Sequence, residues 1–260
     1  MEDFLRVAKE AAKRGGDIHK RFFKRDIKTK TKGREYDLLT EADLEAEKAI
    51  VGVIKKRCAG HNILAEENVY EKTDSVYTWV IDPLDGTNNF ANNMPIFCSS
   101  VGLAKEGEVI LGAVYDVMRD ELFWAAKGEG AFMNGKEIEV SSSGTLTSSI
   151  LITGFYYNRG REMERTLKRI KEFLSNGILG IRRLGSAALD LCYIACGRAS
   201  GFWECELSPW DFAAGKILVE EAGGNITDSE GRPLTLKNSS VVASNGKIHE
   251  DMLEIINGAF

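Results

Sequence analysis

Between Asp3 and Phe23 apolar side chains recur at Phe4, Val7, Ala8, Ala11, Ile18 and Phe22, with Gly15 on the same line. That spacing is close to the 3.6-residue period of an amphipathic helix. Thr40-Glu41-Ala42-Asp43 resembles a capping box with Asp in place of Glu, and Leu44, Ile50, Val53 and Ile54 carry a second helix on until the Gly60 region ends it. Asp43 therefore falls in that helix's first turn. From Phe97 to Ala126 the pattern shortens to Ser99-Val101-Leu103, Val109-Leu111-Ala113-Tyr115 and Glu121-Leu122-Phe123-Trp124, separated by Gly107 and Arg119-Asp120. These predict antiparallel strands and hairpins.

Ser141-Ser142-Ser143-Gly144, small and polar, is the best candidate boundary, dividing the chain into residues 1–143 and 144–260. Beyond it the pattern predicts a strand from Ser149 to Thr153, a helix from Glu162 to Leu174 and a short strand from Ile181 to Leu184. A helix from Ser186 to Gly197, a strand from Gly201 to Glu204 and a helix from Pro209 to Ala222 follow, then two strands and a last helix over His249 to Ile256. Such alternation is α/β, after an α+β first half.

Composition adds limits. A chain of 260 residues, 43% hydrophobic, has enough apolar material for a full-sized core. Its net charge of −5 argues against a nucleic-acid binder, although Lys20 to Arg34 holds eight basic residues against one acid, Asp26. That run is read either as a solvated helix end or as a positive approach for an anionic substrate. Five cysteines without repeated spacing suggest free thiols in a reducing compartment. With no apolar stretch near the roughly 18 residues of a membrane span, a cytoplasmic location with no membrane contact is expected.

The chemistry concentrates in one segment. An apolar run from Val76 to Ile81 leads into Asp82-Pro83-Leu84-Asp85-Gly86-Thr87, two carboxylates three residues apart in an expected turn. Hard divalent cations take such oxygen ligands, and Gly86 allows backbone amides close to an anion. Asp-Pro-x-Asp-Gly alone is also a common β-turn. Its company changes the picture: Ala65-Glu66-Glu67 lies upstream, and Pro209-Trp210-Asp211 opens a helix downstream. Either Glu66 or Glu67 is available as a ligand, and Asp211 is also readable as an acid stabilised by its helix dipole. Three histidines, His19, His61 and His249, signal no Ser/His/Asp arrangement.

With these motifs, Trp79 to Phe90 and Trp210-Asp211-Phe212-Ala213-Ala214-Gly215 running to Glu221-Ala222-Gly223-Gly224, the chain resembles the inositol monophosphatase family of Mg²⁺-dependent, lithium-sensitive phosphatases. The resemblance covers nearly the whole sequence. It implies a five-layer αβαβα sandwich of the sugar phosphatase type, a homodimer, and two to three Mg²⁺ ions. It also implies that Glu66, Asp82 and the Leu84 carbonyl hold one metal and that Asp82, Asp85 and Asp211 hold another. A third, weaker ion would meet Glu66 through water. Thr87 and Asp43 resemble the pair that, with Glu66, orients and deprotonates the attacking water, so that no phosphoenzyme forms. The backbone amides of Gly86 and Thr87 would hold the phosphate, Arg182, Gly185, Ser186, Ala187 and Glu204 would meet the alcohol side, and Asp85 and Asp211 would also touch the substrate, with Glu206 a rival to Glu204. The family's mobile loop would be Thr31 to Asp37, with Lys32 near the third metal.

The function implied is hydrolysis of a small phosphate ester, inositol-1-phosphate, to myo-inositol and phosphate. The runner-up is fructose-1,6-bisphosphatase, with Tyr156, Tyr157, Arg159, Arg161 and Arg182 available to a second phosphate. A third reading is non-enzymatic, since some bacterial relatives act on RNA polymerase complexes. The full set of acids favours an enzyme.

Overall fold

The computed structural model describes residues 1–24, 29–31, 38–155 and 160–258. Helix α1 (Glu2–Phe22) buries Leu5, Val7, Ala8, Ala11, Ala12 and His19 along one stripe, following the predicted period. A short antiparallel pair, β1 (Thr29–Thr31) and β2 (Leu38–Thr40), precedes α2 (Glu41–Arg57). The predicted capping box is formed: Ala42 N donates to Thr40 Oγ1 at 3.2 Å, and Thr40 N donates to Asp43 Oδ2 at 2.8 Å.

Next come β3 (Asn62–Ala65), β4 (Tyr77–Asp85), α3 (Thr87–Ala91), β5 (Cys98–Lys105), β6 (Glu108–Asp116), β7 (Glu121–Ala126), β8 (Ala131–Met133) and β9 (Lys136–Ile138). The seven strands form one sheet in chain order, antiparallel except for the β3–β4 pair. The second sheet runs β11-β10-β12-β14-β13, built from β10 (Ile150–Thr153), α4 (Arg161–Ser175), β11 (Gly180–Arg182), α5 (Ala187–Ala195), β12 (Gly201–Leu207), α6 (Pro209–Glu221), β13 (Asn225–Thr227), β14 (Ser239–Ser244) and α7 (His249–Gly258). Its first three strands are parallel and β14 is antiparallel to both neighbours.

Packing stacks these elements as five αβαβα layers: α1 and α2, the first sheet, α5 and α6, the second sheet, then α4 and α7. The central helices explain why the two halves are not separate bodies. One core holds Val80 and Phe123 from the first half together with Phe202, Phe212, Ile217 and Val241 from the second, so α6 has apolar faces toward both sheets. The Ser141–Gly144 segment runs between the sheets, after β9 and before β10.

Three expected boundaries shift where side chains redirect the backbone. The strand predicted to reach Leu184 ends at Arg182, because the Leu184 carbonyl accepts from Asn89 Nδ2 at 2.8 Å instead of continuing the ladder. The strand predicted to end at Glu204 continues to Leu207 through a register shift between Glu204 and Leu207. The expected turn at Asp82-Pro83-Leu84-Asp85 lies inside β4, also at a register shift. Lys32 to Asp37, and Tyr156, Tyr157 and Arg159, lie outside the described residues.

Candidate active site

Asp82 and Asp85 are three residues apart, which in a regular strand would turn them to opposite faces. Their partners on β5, Ser100 and Cys98, are only two apart. One extra residue on β4 therefore restores the alternation and sets both acids on one side, as a β-bulge does. Pro83 suits this place because it has no N–H to lose from the ladder. Its carbonyl is taken up from behind by His19 Nε2 at 2.8 Å and Ser99 Oγ at 3.1 Å. Gly86 follows with φ 98°, and a Cβ there would stand 2.8 Å from the Ile96 carbonyl. That left-handed residue caps α3 and turns Thr87 toward the acids.

The result is a cavity of about 360 Å³. Its lining includes Glu66, Asp82, Leu84, Asp85, Gly86, Thr87 and Asp211, together with Gly185, Ser186, Ala187, Glu204 and Glu206. Glu66 reaches the cavity and Glu67 does not; the Glu67 amide donates to Glu47 Oε2 at 2.9 Å. Asp43 is fully buried one layer behind, accepting from Thr87 Oγ1 at 2.9 Å. The same hydroxyl lies 2.9 Å from the Leu84 carbonyl, so its single proton serves one acceptor at a time.

Each acid is held by named donors. Asp82 Oδ1 accepts from Leu84 N at 3.0 Å. Asp85 Oδ2 accepts from Ser186 Oγ at 2.6 Å and Ala188 N at 2.7 Å, which commits the Ser186 hydroxyl to Asp85. Asp211 Oδ2 accepts from Ser208 N at 2.7 Å, closing a second capping box; Asp211 is thus both a helix cap and a wall of the cavity. Despite these donors, burial and then the charges of Glu66, Asp85 and Asp211 push the Asp82 carboxyl well above its ordinary pKa. Burial, then Glu66 and Asp85, do the same to Asp211, and burial raises Asp85.

This donor set fits a hard divalent cation, since the carboxylates cost one another stability until a positive charge enters among them. Among the described residues no three His, Cys, Asp or Glu side chains close into a ready cage, so the fit rests on oxygen donors and shared charge.

Arg182 does not join the site. It is exposed and its Nη1 donates to the Ile181 carbonyl at 3.0 Å, while the neighbouring Arg183 lines the cavity. The sequence pattern could not separate adjacent arginines at a strand end whose last paired residue was misplaced. Asp190 and Asn89 were also missed. Asn89 Nδ2 donates to the carbonyls of Ile96 and Leu184, tying α3 to the second half. Glu204 lines the cavity beside Arg183, its carboxyl pushed up to about 8 by burial, with Arg183 opposing and Asp85 adding to the shift.

A family model described as the inositol monophosphatase family matches residues 1–259. The chain is 40% identical over 257 residues to an inositol-1-monophosphatase of Synechocystis sp., covering 98% of this chain and 89% of that protein. It is 40% identical over 255 residues to the Nus factor SuhB of Escherichia coli, covering 97% and 95%. The crystal structure of the extragenic suppressor protein suhB from Bartonella henselae superposes with a TM-score of 0.94 at 34% identity, covering 99% and 100%.

Proposed function

The chain belongs to the inositol monophosphatase family, and from that premise we propose that it is a Mg²⁺-dependent phosphatase that hydrolyses inositol-1-phosphate to myo-inositol and phosphate. One observation carries the reading: a single cavity holds both the mutually destabilised carboxylates around Asp82 and a further buried acid, Glu204, beside Arg183. Two to three Mg²⁺ ions held by Glu66, Asp82, the Leu84 carbonyl, Asp85 and Asp211 would neutralise phosphoryl charge and make a water more acidic.

The protein's own groups do the rest. When Thr87 Oγ1 gives its proton to Asp43 Oδ1 rather than to the Leu84 carbonyl, its lone pairs are left to accept from the attacking water, and Glu66 takes that water's proton. The backbone at Gly86 and Thr87 holds the phosphate. Attack on phosphorus opposite the ester oxygen breaks the P–O bond directly, and inositol leaves with a proton from solvent. At the far wall Glu204 accepts from ring hydroxyls. The same reading includes a cytoplasmic homodimer, checked by light scattering on the purified protein. Among the described residues no helix is long and apolar enough to cross a membrane.

Fructose-1,6-bisphosphate fits less well. Arg183 is the one cationic side chain among the described residues lining the cavity, against Asp190, Glu204 and Glu206 at its alcohol end. A second phosphate would face carboxyls. Turnover of inositol-1-phosphate, fructose-1,6-bisphosphate and 3′-phosphoadenosine-5′-phosphate, with Mg²⁺ and then with EDTA, tests the proposal; preference for either of the last two would sink it. The relatives named Nus factor support a second role in a transcription complex. That role predicts capture of RNA polymerase by an inactive Asp82→Asn variant.

A further inference from the structure

Asp190 lines the cavity from one turn into α5. It is 1% exposed, and its Oδ1 is enclosed without a hydrogen-bond partner. Its neighbours in the site differ: Asp82, Asp85 and Asp211 each have at least one oxygen bound to a backbone or side-chain donor. A buried acceptor without a donor is destabilising, and native folds seldom keep one unless water or a ligand completes it. The surroundings make the position costlier. After burial, the charges of Asp85 and Glu204 oppose ionisation of Asp190, and only Arg183 favours it.

The groups around Asp190 are fixed by independent elements. Glu204 comes from the bulge of β12 with its carboxyl packed against Gly154, where any Cβ would collide with Oε2. Arg183 folds over Gly185, its Nη1 2.6 Å from where a Cβ would stand. Asp190 comes from α5. Two carboxyls and one guanidinium thus line the same cavity at set positions, an arrangement suited to neighbouring hydroxyls that donate to acids and accept from arginine.

We propose that Asp190 is a specificity-determining residue that accepts a hydrogen bond from a hydroxyl of the alcohol esterified to the phosphate, beside Glu204. The proposal rests on the phosphatase reading above and narrows its substrate to esters of a polyol carrying free hydroxyls near the ester.

Asp190→Asn and Asp190→Ser, assayed with Mg²⁺ on inositol-1-phosphate, glycerol 2-phosphate and p-nitrophenyl phosphate, test it together with thermal midpoints. The expected result is a fall of about tenfold or more in the kcat/KM of the hydroxyl-bearing esters relative to p-nitrophenyl phosphate, mostly through KM. The thermal midpoint of Asp190→Asn should not fall, because the carboxyl it replaces lacks a donor. Parallel loss on all esters, ratios within twofold of wild type, or loss of far-UV circular dichroism in both variants would each overturn the proposal. The parent reading fails separately: a wild-type protein inactive on inositol-1-phosphate loses that substrate, while the glycerol 2-phosphate ratio still decides Asp190. Inactivity on every ester overturns both.

Discussion

The bulge of β4 and the bulge of β12 both contribute acids to the cavity, and they treat those acids differently. In β4 the misfit residue is gripped from behind: His19 and Ser99 hold the Pro83 carbonyl, Leu84 N holds Asp82, and Ser186 and Ala188 hold Asp85. In β12, among the described residues, no donor is bonded to the carboxyls of Glu204 or Glu206, and Asp190 beside them has an oxygen without a partner. A wall that must hold ions at fixed positions is preorganised by its own backbone, whereas a wall that must recognise hydroxyls leaves its acceptors for the ligand. Both carry a stability cost from buried carboxyls, so changes on the two walls should separate catalysis from selectivity.

The largest effect is expected on the β4 wall. Asp82→Asn removes one charge from the centre of the acid cluster, and losing several kcal/mol of transition-state stabilisation corresponds to a fall in kcat of about 10³-fold or more. The same change should raise the thermal midpoint of the metal-free protein, since Asp82 is strained by burial and by the charges of Glu66, Asp85 and Asp211. Mg²⁺ should stabilise the wild type and much less the variant. Near-native turnover in Asp82→Asn would remove the distinction between the walls.

On the β12 wall, Glu204→Gln should lower kcat/KM on inositol-1-phosphate by about 10- to 150-fold, the worth of a charged hydrogen bond. Hydrolysis of p-nitrophenyl phosphate, which has no ring hydroxyl to offer, should change by a fewfold. Equal losses on both esters would assign Glu204 to the catalytic wall.

The two walls also differ in how far they could be foreseen. The motifs around Asp82, Asp85 and Asp211 carry the resemblance, and that resemblance implied both the layered fold and the grouping of these acids with Glu66, whereas the residues alone left Glu66 and Glu67 open; all four expected acids line one cavity. The bulge itself was not visible. Pro83 and Gly86 are as suited to a turn as to a bulge, and only the partner spacing of Ser100 and Cys98 decides. The alcohol wall draws Arg183, Asp190 and Glu204 from a loop, a helix and a strand, so no local pattern marks it. Nothing in the pattern of adjacent arginines separates Arg182 from Arg183; the turn after β11, where the Leu184 carbonyl is committed to Asn89, is what brings Arg183 to the cavity.

A smaller effect is expected behind the β4 wall. Fully buried Glu47, one turn after Asp43 on α2, accepts from Glu67 N at 2.9 Å, Asn68 Nδ2 at 2.7 Å and Tyr70 OH at 2.8 Å. It fixes the segment that follows Glu66. Glu47→Gln replaces one acceptor oxygen by a donor, leaving a mismatch of about 1–3 kcal/mol. The half-saturating Mg²⁺ concentration should rise about fivefold, with selectivity among esters retained. A shift in selectivity without a change in Mg²⁺ requirement would contradict the division between the walls.

The smallest effect on turnover is expected at His19, where pH separates the contributions. Pro83 O only accepts, so His19 carries its proton on Nε2; Nδ1 has no partner, and the ring packs near Phe90 and Phe97. Burial lowers its pKa to about 3, opposed by the bond to Pro83. A depressed folded pKa contributes stability that is present above the unfolded value, about 6.5, and is lost as pH falls toward 3, at up to roughly 1.4 kcal/mol per pH unit. Glu204 runs the other way: its raised pKa gives stability that is present below about 4.5 and lost as pH rises through about 8. His19→Gln keeps a donor for Pro83 but loses packing and the titration. In EDTA its thermal midpoint should lie about 2–4 °C below wild type at pH 7.5. The gap should close by pH 5.5, because only the wild type then strains to keep a neutral imidazole, while Glu204→Gln should gain on wild type as pH rises from 5.5 to 8.5. A His19→Gln gap that stays constant or widens toward acid would show that His19 is not held neutral beneath the bulge.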